Sequence, residues 1–397
     1  MLIAIVVDGP MSVYRCCRYI RVLQGEGDGS RIKMRTLQRL KVTNFKSIRD
    51  QELVLRPLNV FIGGNGSGKS NLIGVFRFLK EIVGQNLGGF TQLKGGADTL
   101  LYYGRKRSPQ MEIDIEFGQD RTTNRYRVRL TGANDDSLFI GEEVAYYHDG
   151  IRHPNKPYDW PVASGAKESR LKEMTHTCPL QILADLERYR VYHFHDTSDT
   201  AAAKGQSDLE DNRIFRPQAE NLAAFLYYLQ QQKPQHFSLI QDTVRQIAPF
   251  FDKFQLAPSR LNPAKIRLEW LERGSDAYFN ASSLSDGTLR FICLSVLLLQ
   301  PDLPPLVLLD EPELGLHPAA ITVLANMLSS AATRTQVIVA TQSVTLVNQF
   351  TPEDVWTVDR EDGQSVFRQL NSADRTDWLE DYALGELWEK NLLGARP

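Results

Sequence analysis

Residues 63 to 70 read GGNGSGKS, that is Gly63, Gly64, Asn65, Gly66, Ser67, Gly68, Lys69 and Ser70, with Asn71 next. The spacing is G-x-x-x-x-G-K-[ST], the pattern of a loop that wraps phosphate. Its glycines let the backbone curl until successive N–H groups face inward toward an anion. A helix opening directly after the loop adds the positive end of its dipole. Lys69 would reach the outer phosphates, and the Ser70 hydroxyl would ligate Mg²⁺. A strand-like run, Leu58 to Ile62, precedes the pattern and a helical run follows it. That context weighs against the competing reading, a plain glycine-rich turn.

A second stretch, VLLDEPELGLHP, sets Asp310, Glu311 and Glu313 at the end of an apolar run. Three carboxylates so close together repel one another and resist burial. A divalent cation resolves the conflict. Asp310 would hold Mg²⁺ directly or through its water, and Glu311 would orient or deprotonate the water that attacks a γ-phosphate. Glu313 is read as a supporting residue. Alone, the stretch would be an ordinary acidic loop after a core strand. A phosphate loop in the same chain favours the nucleotide reading.

Elements must position these groups. LQRLKVTNF and QELVLRPLNVFIGG alternate or carry β-branched residues and read as strands. KSNLIGVFRFLKEIVGQ carries Leu72, Val75, Phe76, Phe78, Leu79 and Ile82 on one helical face. MEIDIEF, RYRVRL and EEVAYYHDG read as antiparallel strands, and residues 150 to 178 as a polar surface insertion. VYHFHDT is a strand running into a loop, and two amphipathic helices follow. KIRLEWLE reads as one strand, GTLRFICLSVLLLQ as a buried helix, and LPPLVLLDE and TQVIVATQS as strands covered on both faces. DVWTVDREDGQSVFRQL is a hairpin turning near Asp362-Gly363.

The chain has 397 residues, 42% hydrophobic and 24% charged, enough for a sizeable core and for two or three units. Its net charge of −2 excludes a bulk polycation, so any nucleic-acid contact needs a local basic patch. Cys16, Cys17, Cys178 and Cys293 form no C-x-x-C framework, which fits a reduced, cytoplasmic chain. No apolar run approaches the roughly 20 residues of a membrane span. The expected division is an extension at 1–33 ahead of Met34, an N-terminal lobe at 34–141, an insertion and helical lobe at 142–260, and a C-terminal lobe at 261–397.

NFKSI, GGNGSGKSN, LSDGT, LLDEPELGLHP and VIVATQS occur in one order. In that order they resemble the ABC-type ATPases of the RecF/SMC/Rad50-like branch, and most of all its stand-alone predicted AAA-family members. The resemblance covers about residues 35 to 397. It implies an α/β P-loop NTPase head: a mixed sheet with flanking helices, an antiparallel β subdomain and a helical lobe carrying a signature loop. Only residues 71 to 283 separate phosphate loop and signature, so no long coiled coil is expected.

The resemblance also implies roles. LSDGT, Leu284 to Thr288, stands where the signature loop caps the ATP of a second subunit, with Ser285 and the Gly287 backbone at the γ-phosphate. Asp286 departs from the usual glycine, and a serine N-cap is the plain alternative for Ser285. Gln342 stands where relatives place a γ-phosphate-sensing histidine; a glutamine donates a hydrogen bond but cannot become cationic. His195 or Asp196 would substitute for a missing glutamine loop. Lys94 and Lys46 are candidates near phosphates or DNA, with a solvated surface role as the alternative. ATP and Mg²⁺ are the implied ligands. An ATP-dependent homodimer is the implied assembly, with duplex or gapped DNA or a separate effector protein as partner. The implied roles are a clamp in DNA repair or replication, or the ATPase subunit of a phage-defence or toxin-type system.

Overall fold

The structure is a computed structural model that describes residues 35–119, 121–154, 156–370 and 383–395. The expected extension at 1–33 lies outside the described residues. The chain separates into two compact units. The larger holds the described residues up to His193, Leu303–Glu313, and the described residues from Ala331 onward. The smaller holds Phe194–Asp302 and Leu314–Ser330.

The larger unit begins with β1 (Thr36–Phe45), β2 (Ile48–Val54), β3 (Leu58–Ile62), α1 (Lys69–Val83), α2 (Leu87–Leu93) and α3 (Ala97–Leu100). It continues with β4 (Gln110–Gln119), β5 (Thr122–Gly132), β6 (Leu138–Asp149), β7 (Tyr158–Ala166), α4 (Thr177–Arg188) and β8 (Arg190–Tyr192). An antiparallel sheet forms in the order β2-β1-β4-β5-β6-β7. Its alternation is clean on β5, where Asn124, Tyr126, Val128 and Leu130 are buried. Arg125 and Arg129, on the opposite face of the strand, pair with Asp114 and Glu112 of β4. One face therefore builds core, and the other is a ladder of opposite charges.

The smaller unit holds β9 (Gln206–Asp208), α5 (Leu222–Gln232), α6 (Pro234–Ile247), β10 (Phe251–Gln255), β11 (Lys265–Arg267), β12 (Glu269–Glu272), β13 (Tyr278–Asn280) and α7 (Asp286–Leu299). Then come β14 (Leu306–Asp310), α8 (Pro318–Ala332), β15 (Gln336–Thr341), α9 (Val344–Val347), β16 (Val355–Glu361), β17 (Gln364–Gln369) and α10 (Leu384–Glu389). In the larger unit a second sheet runs β17-β16-β3-β15-β14-β8. Its inner strands are parallel: β3 pairs β15 and β16, and β14 pairs β15 and β8. Every residue of β3 and β15 is buried, as continuous apolar runs in a covered parallel sheet require.

Leu72, Val75, Phe76, Phe78, Leu79 and Ile82 of α1 join one core with residues of both sheets, among them Val42, Ile113, Leu308 and Ile338. Phe78 stacks between Phe45 and Phe90 at 5.6 and 5.4 Å. Truncating such a ring to alanine costs about 3–5 kcal/mol. That packing seats the first turn of α1, where the phosphate loop ends.

Two local expectations change. Residues 150–178 are not merely polar insertion, because they contain β7. Pro161 and Gly165 disguise that strand, and its place at the sheet edge tolerates them. KIRLEWLE is two strands, β11 pairing β9 and β12 pairing β10 and β13. The longest described helices, α1 and α8, have 15 residues each, far short of a coiled-coil arm. No described helix is long and apolar enough to cross a membrane.

Candidate functional site

β3 delivers the chain to Gly63 and α1 takes it up at Lys69. Between them the backbone passes through positive φ at Gly66 (77°) and Gly68 (117°), a conformation that costs a side-chain-bearing residue about 1–2 kcal/mol. Close approach adds a second demand for glycine. A Cβ on Gly63 would collide with the Val358 carbonyl, and one on Gly68 with the Ser365 hydroxyl. The β16–β17 hairpin thus forms one wall of the loop. Ser365 donates to the Ser67 carbonyl, Ser47 and Ser365 share a 2.7 Å bond, and Asn71 Nδ2 donates to Ser47 Oγ at 2.7 Å. Asn71 therefore braces the loop through Ser47.

Lys69 is buried and curls back on its own loop, donating to the carbonyls of Gly63 and of Gly64, the latter at 3.0 Å. Burial lowers its pKa, while Glu311, Asp310 and Glu313 pull it upward. All three carboxylates therefore lie within electrostatic reach of the lysine. The sheet register explains why. Asp310 pairs with Ala340 across β14–β15, and Ala340 pairs with Phe61 across β15–β3. The acidic strand end and the phosphate loop thus emerge from the same edge of one sheet.

Ser70 Oγ lies 3.4 Å from Asp310 Oδ1. A hydroxyl and a carboxylate meeting this way are the hard oxygen donors that suit Mg²⁺. Glu311 adopts a left-handed backbone, φ 43°, with its N–H on the Ala340 carbonyl at 2.8 Å. Glu313 is buried against Thr341, whose hydroxyl donates to Glu313 Oε1. Gln342 follows β15 half-buried. Phosphate loop, Asp310, Glu311, Glu313 and Gln342 therefore all belong to the larger unit.

Ser285 and Gly287 belong to the smaller unit. Ser285 is the N-cap of α7: its Oγ accepts from Thr288 N at 3.3 Å and meets Thr288 Oγ1 at 2.8 Å. Asp286 sits in the first turn, where a carboxylate complements the helix dipole. A Cβ on Gly287 would strike the Gly315 carbonyl, so the two turns touch backbone to backbone. Arg290 binds the carbonyls of Phe194 and His195 at 2.8 and 3.1 Å. Asp196 closes a local turn onto Ser198, so its carboxylate is already engaged. Among the described residues no cluster of three or more His, Cys, Asp or Glu is poised for a metal.

Lys46 has φ 50° and lies over the Phe45 ring, and Lys94 lies over Phe90. Burial lowers the Lys46 pKa, helped by the nearby charges of Lys94 and Arg77. The two candidate lysines are thus neighbours. Arg77, which the sequence did not single out, joins them from α1, feels the Asp310 charge and meets His193 Nδ1 at 3.4 Å. Its position one helical stretch beyond Ser70 was the available signal.

Residues 58–348 match the family described as "AAA domain, putative AbiEii toxin, Type IV TA system". The chain belongs to this family. It is similar to the DNA replication and repair protein RecF of Renibacterium salmoninarum, 30% identical over 102 residues, a quarter of each chain. Among solved structures it resembles an Smc head bound to the C-winged helix domain of ScpA, with TM-score 0.53, 17% identity, and coverage of 85% of this chain and 99% of that one. An Smc head with an extended coiled coil, bound to a ScpA C-terminal domain from Pyrococcus furiosus, gives TM-score 0.54 and 14% identity over 88% of this chain and 99% of that one. The fold is that of an Smc head domain, and the family match makes the chain an AAA-domain ATPase.

Proposed function

We propose that this family member hydrolyses ATP between two copies of the chain and uses the cycle to clamp duplex or gapped DNA. The observation that carries the nucleotide site is the meeting of Ser70 and Asp310 beside a phosphate loop whose glycines are required by backbone and contact alike. Loop N–H groups from Gly64 to Ser70 surround the phosphates. Lys69 exchanges its bonds to the Gly63 and Gly64 carbonyls for the β- and γ-phosphate oxygens. Ser70 and Asp310 would hold Mg²⁺, which would supply positive charge to offset that of the phosphates. Glu311 takes the proton of the attacking water, and Gln342 donates a hydrogen bond toward the γ-phosphate.

Ser285 and the Gly287 backbone complete the site from the second copy. A head-to-tail pair with twofold symmetry buries two such sites and closes on itself. Hydrolysis then releases the pair. The relative named RecF supports the DNA reading. A second reading has support of its own: the family description names a toxin–antitoxin system, which favours an ATPase subunit that gates a separate effector protein. A cytoplasmic site of action suits either role.

Steady-state ATP hydrolysis with and without duplex and gapped DNA, against a Lys69→Ala background, separates the two. Stimulation by DNA supports the clamp. Turnover indifferent to DNA favours the effector-gating reading.

A further inference from the structure

Glu313 is the one carboxylate of the acidic strand end to which the proposed mechanism gives no task. Its surroundings are specific. It is 7% exposed, and Oε1 accepts from the Thr341 hydroxyl. Oε2 is buried without a partner. Thr341, fully buried, accepts in turn from the Ser343 N–H at 3.0 Å. Glu313 is therefore the hub of a short chain of bonds that clasps the end of β15.

That clasp bears on Glu311. The turn from Asp310 to Glu313 is stapled to β15 at two points, by Glu311 N on the Ala340 carbonyl and by Glu313 on Thr341. Between the staples Glu311 holds φ 43°, a conformation that persists in a residue with a side chain only where its surroundings impose it. We infer that Glu313 is a positioning residue: through Thr341 it ties the turn to the end of β15 and holds Glu311 in its left-handed conformation, so that the base and Gln342, which follows Thr341, keep one geometry. A fully buried apolar residue would fill the same space without the clasp. A buried carboxylate is worth its desolvation only where its bonds specify an arrangement.

The inference rests on Glu311 acting as the base, and the test separates the two ideas. Equilibrium ATP affinity, KM and kcat are measured for the full chain and five variants. Glu313→Ala frees the turn and lowers kcat about 30- to 100-fold, the scale of a misplaced reacting group. ATP affinity and KM stay within about twofold, because Lys69, Ser70 and Asp310 are untouched. Glu313→Gln keeps an acceptor for Thr341 and retains turnover within about threefold of the parent. Thr341→Val removes the hydroxyl that Glu313 bonds and lowers kcat about tenfold, its folding checked by thermal midpoint, and Glu313→Ala/Thr341→Val is no slower than Glu313→Ala alone. Glu313→Ala turning over like the parent overturns the inference. So do additive defects in the double variant, or a Glu313→Gln defect as deep as that of Glu313→Ala, which would assign the role to charge. If instead the parent turns over and Glu311→Gln leaves kcat intact, the base assignment itself fails.

Discussion

The turn at Gly63–Ser70 and the turn at Leu284–Thr288 both carry glycine and both open a helix, yet they are built differently. The first draws its shape from residues far away in sequence. Ser365 and Val358 press on it from the hairpin, Ser47 and Asn71 brace it, and Asp310 meets its serine. In the second the serine is satisfied locally, since Ser285 bonds Thr288, and Gly315 is the one remote residue that crowds Gly287. A loop held by so many remote groups is shaped before its ligand arrives. A capped helix end keeps its N–H groups facing outward and gains a task only when an anion is brought to it.

That contrast can be broken or sharpened by mutation. Lys69→Ala should have the largest effect. Turnover falls about 10³-fold or more with the loss of the phosphate-facing cation, and ATP binding weakens with it. Retained hydrolysis would mean that the loop is not the site. Ser285→Arg should keep ATP binding at the phosphate loop while turnover and ATP-dependent pairing are lost, as read by nucleotide titration and light scattering. Normal turnover would remove the second loop from the reaction.

Glu311→Gln leaves both loops intact and should slow turnover by about 10²-fold, the contribution of a general base. ATP should then hold the protein as a dimer, and a monomer in saturating ATP would count against the paired arrangement. Ser285→Ala should be smallest on the fold itself. Losing the cap costs about 1 kcal/mol, a shift of a few degrees in thermal midpoint. A shift no larger than that, beside a deep loss of turnover in Ser285→Arg, would separate capping from catalysis.

What could be read in advance follows the same divide. Glycine spacing with lysine and serine at fixed offsets announces the phosphate loop, and the apolar runs of β3, β14 and β15 announce a covered parallel sheet. Those signals are contiguous. The Ser47–Ser365 brace joins residues 318 apart, and the Glu313–Thr341 clasp joins residues 28 apart, so neither leaves a local pattern. The three-residue strands β9, β11 and β13 are too short for alternation to register. β7 hid behind Pro161 and Gly165, residues that an edge strand tolerates. Arg77 looked like the polar side of an amphipathic helix, although its charge stands close enough to Asp310 to be felt there.

The central claim is a site shared between two copies, and mixing two inactive variants tests it most directly. Lys69→Ala keeps an intact Leu284–Thr288 turn, and Ser285→Arg keeps an intact phosphate loop. Combined in equal amounts, they should recover turnover that neither shows alone, up to about half of the parental rate, since a mixed pair contains one intact composite site of two. A mixture as inactive as its components, under conditions where the parent pairs and turns over, would contradict the shared site.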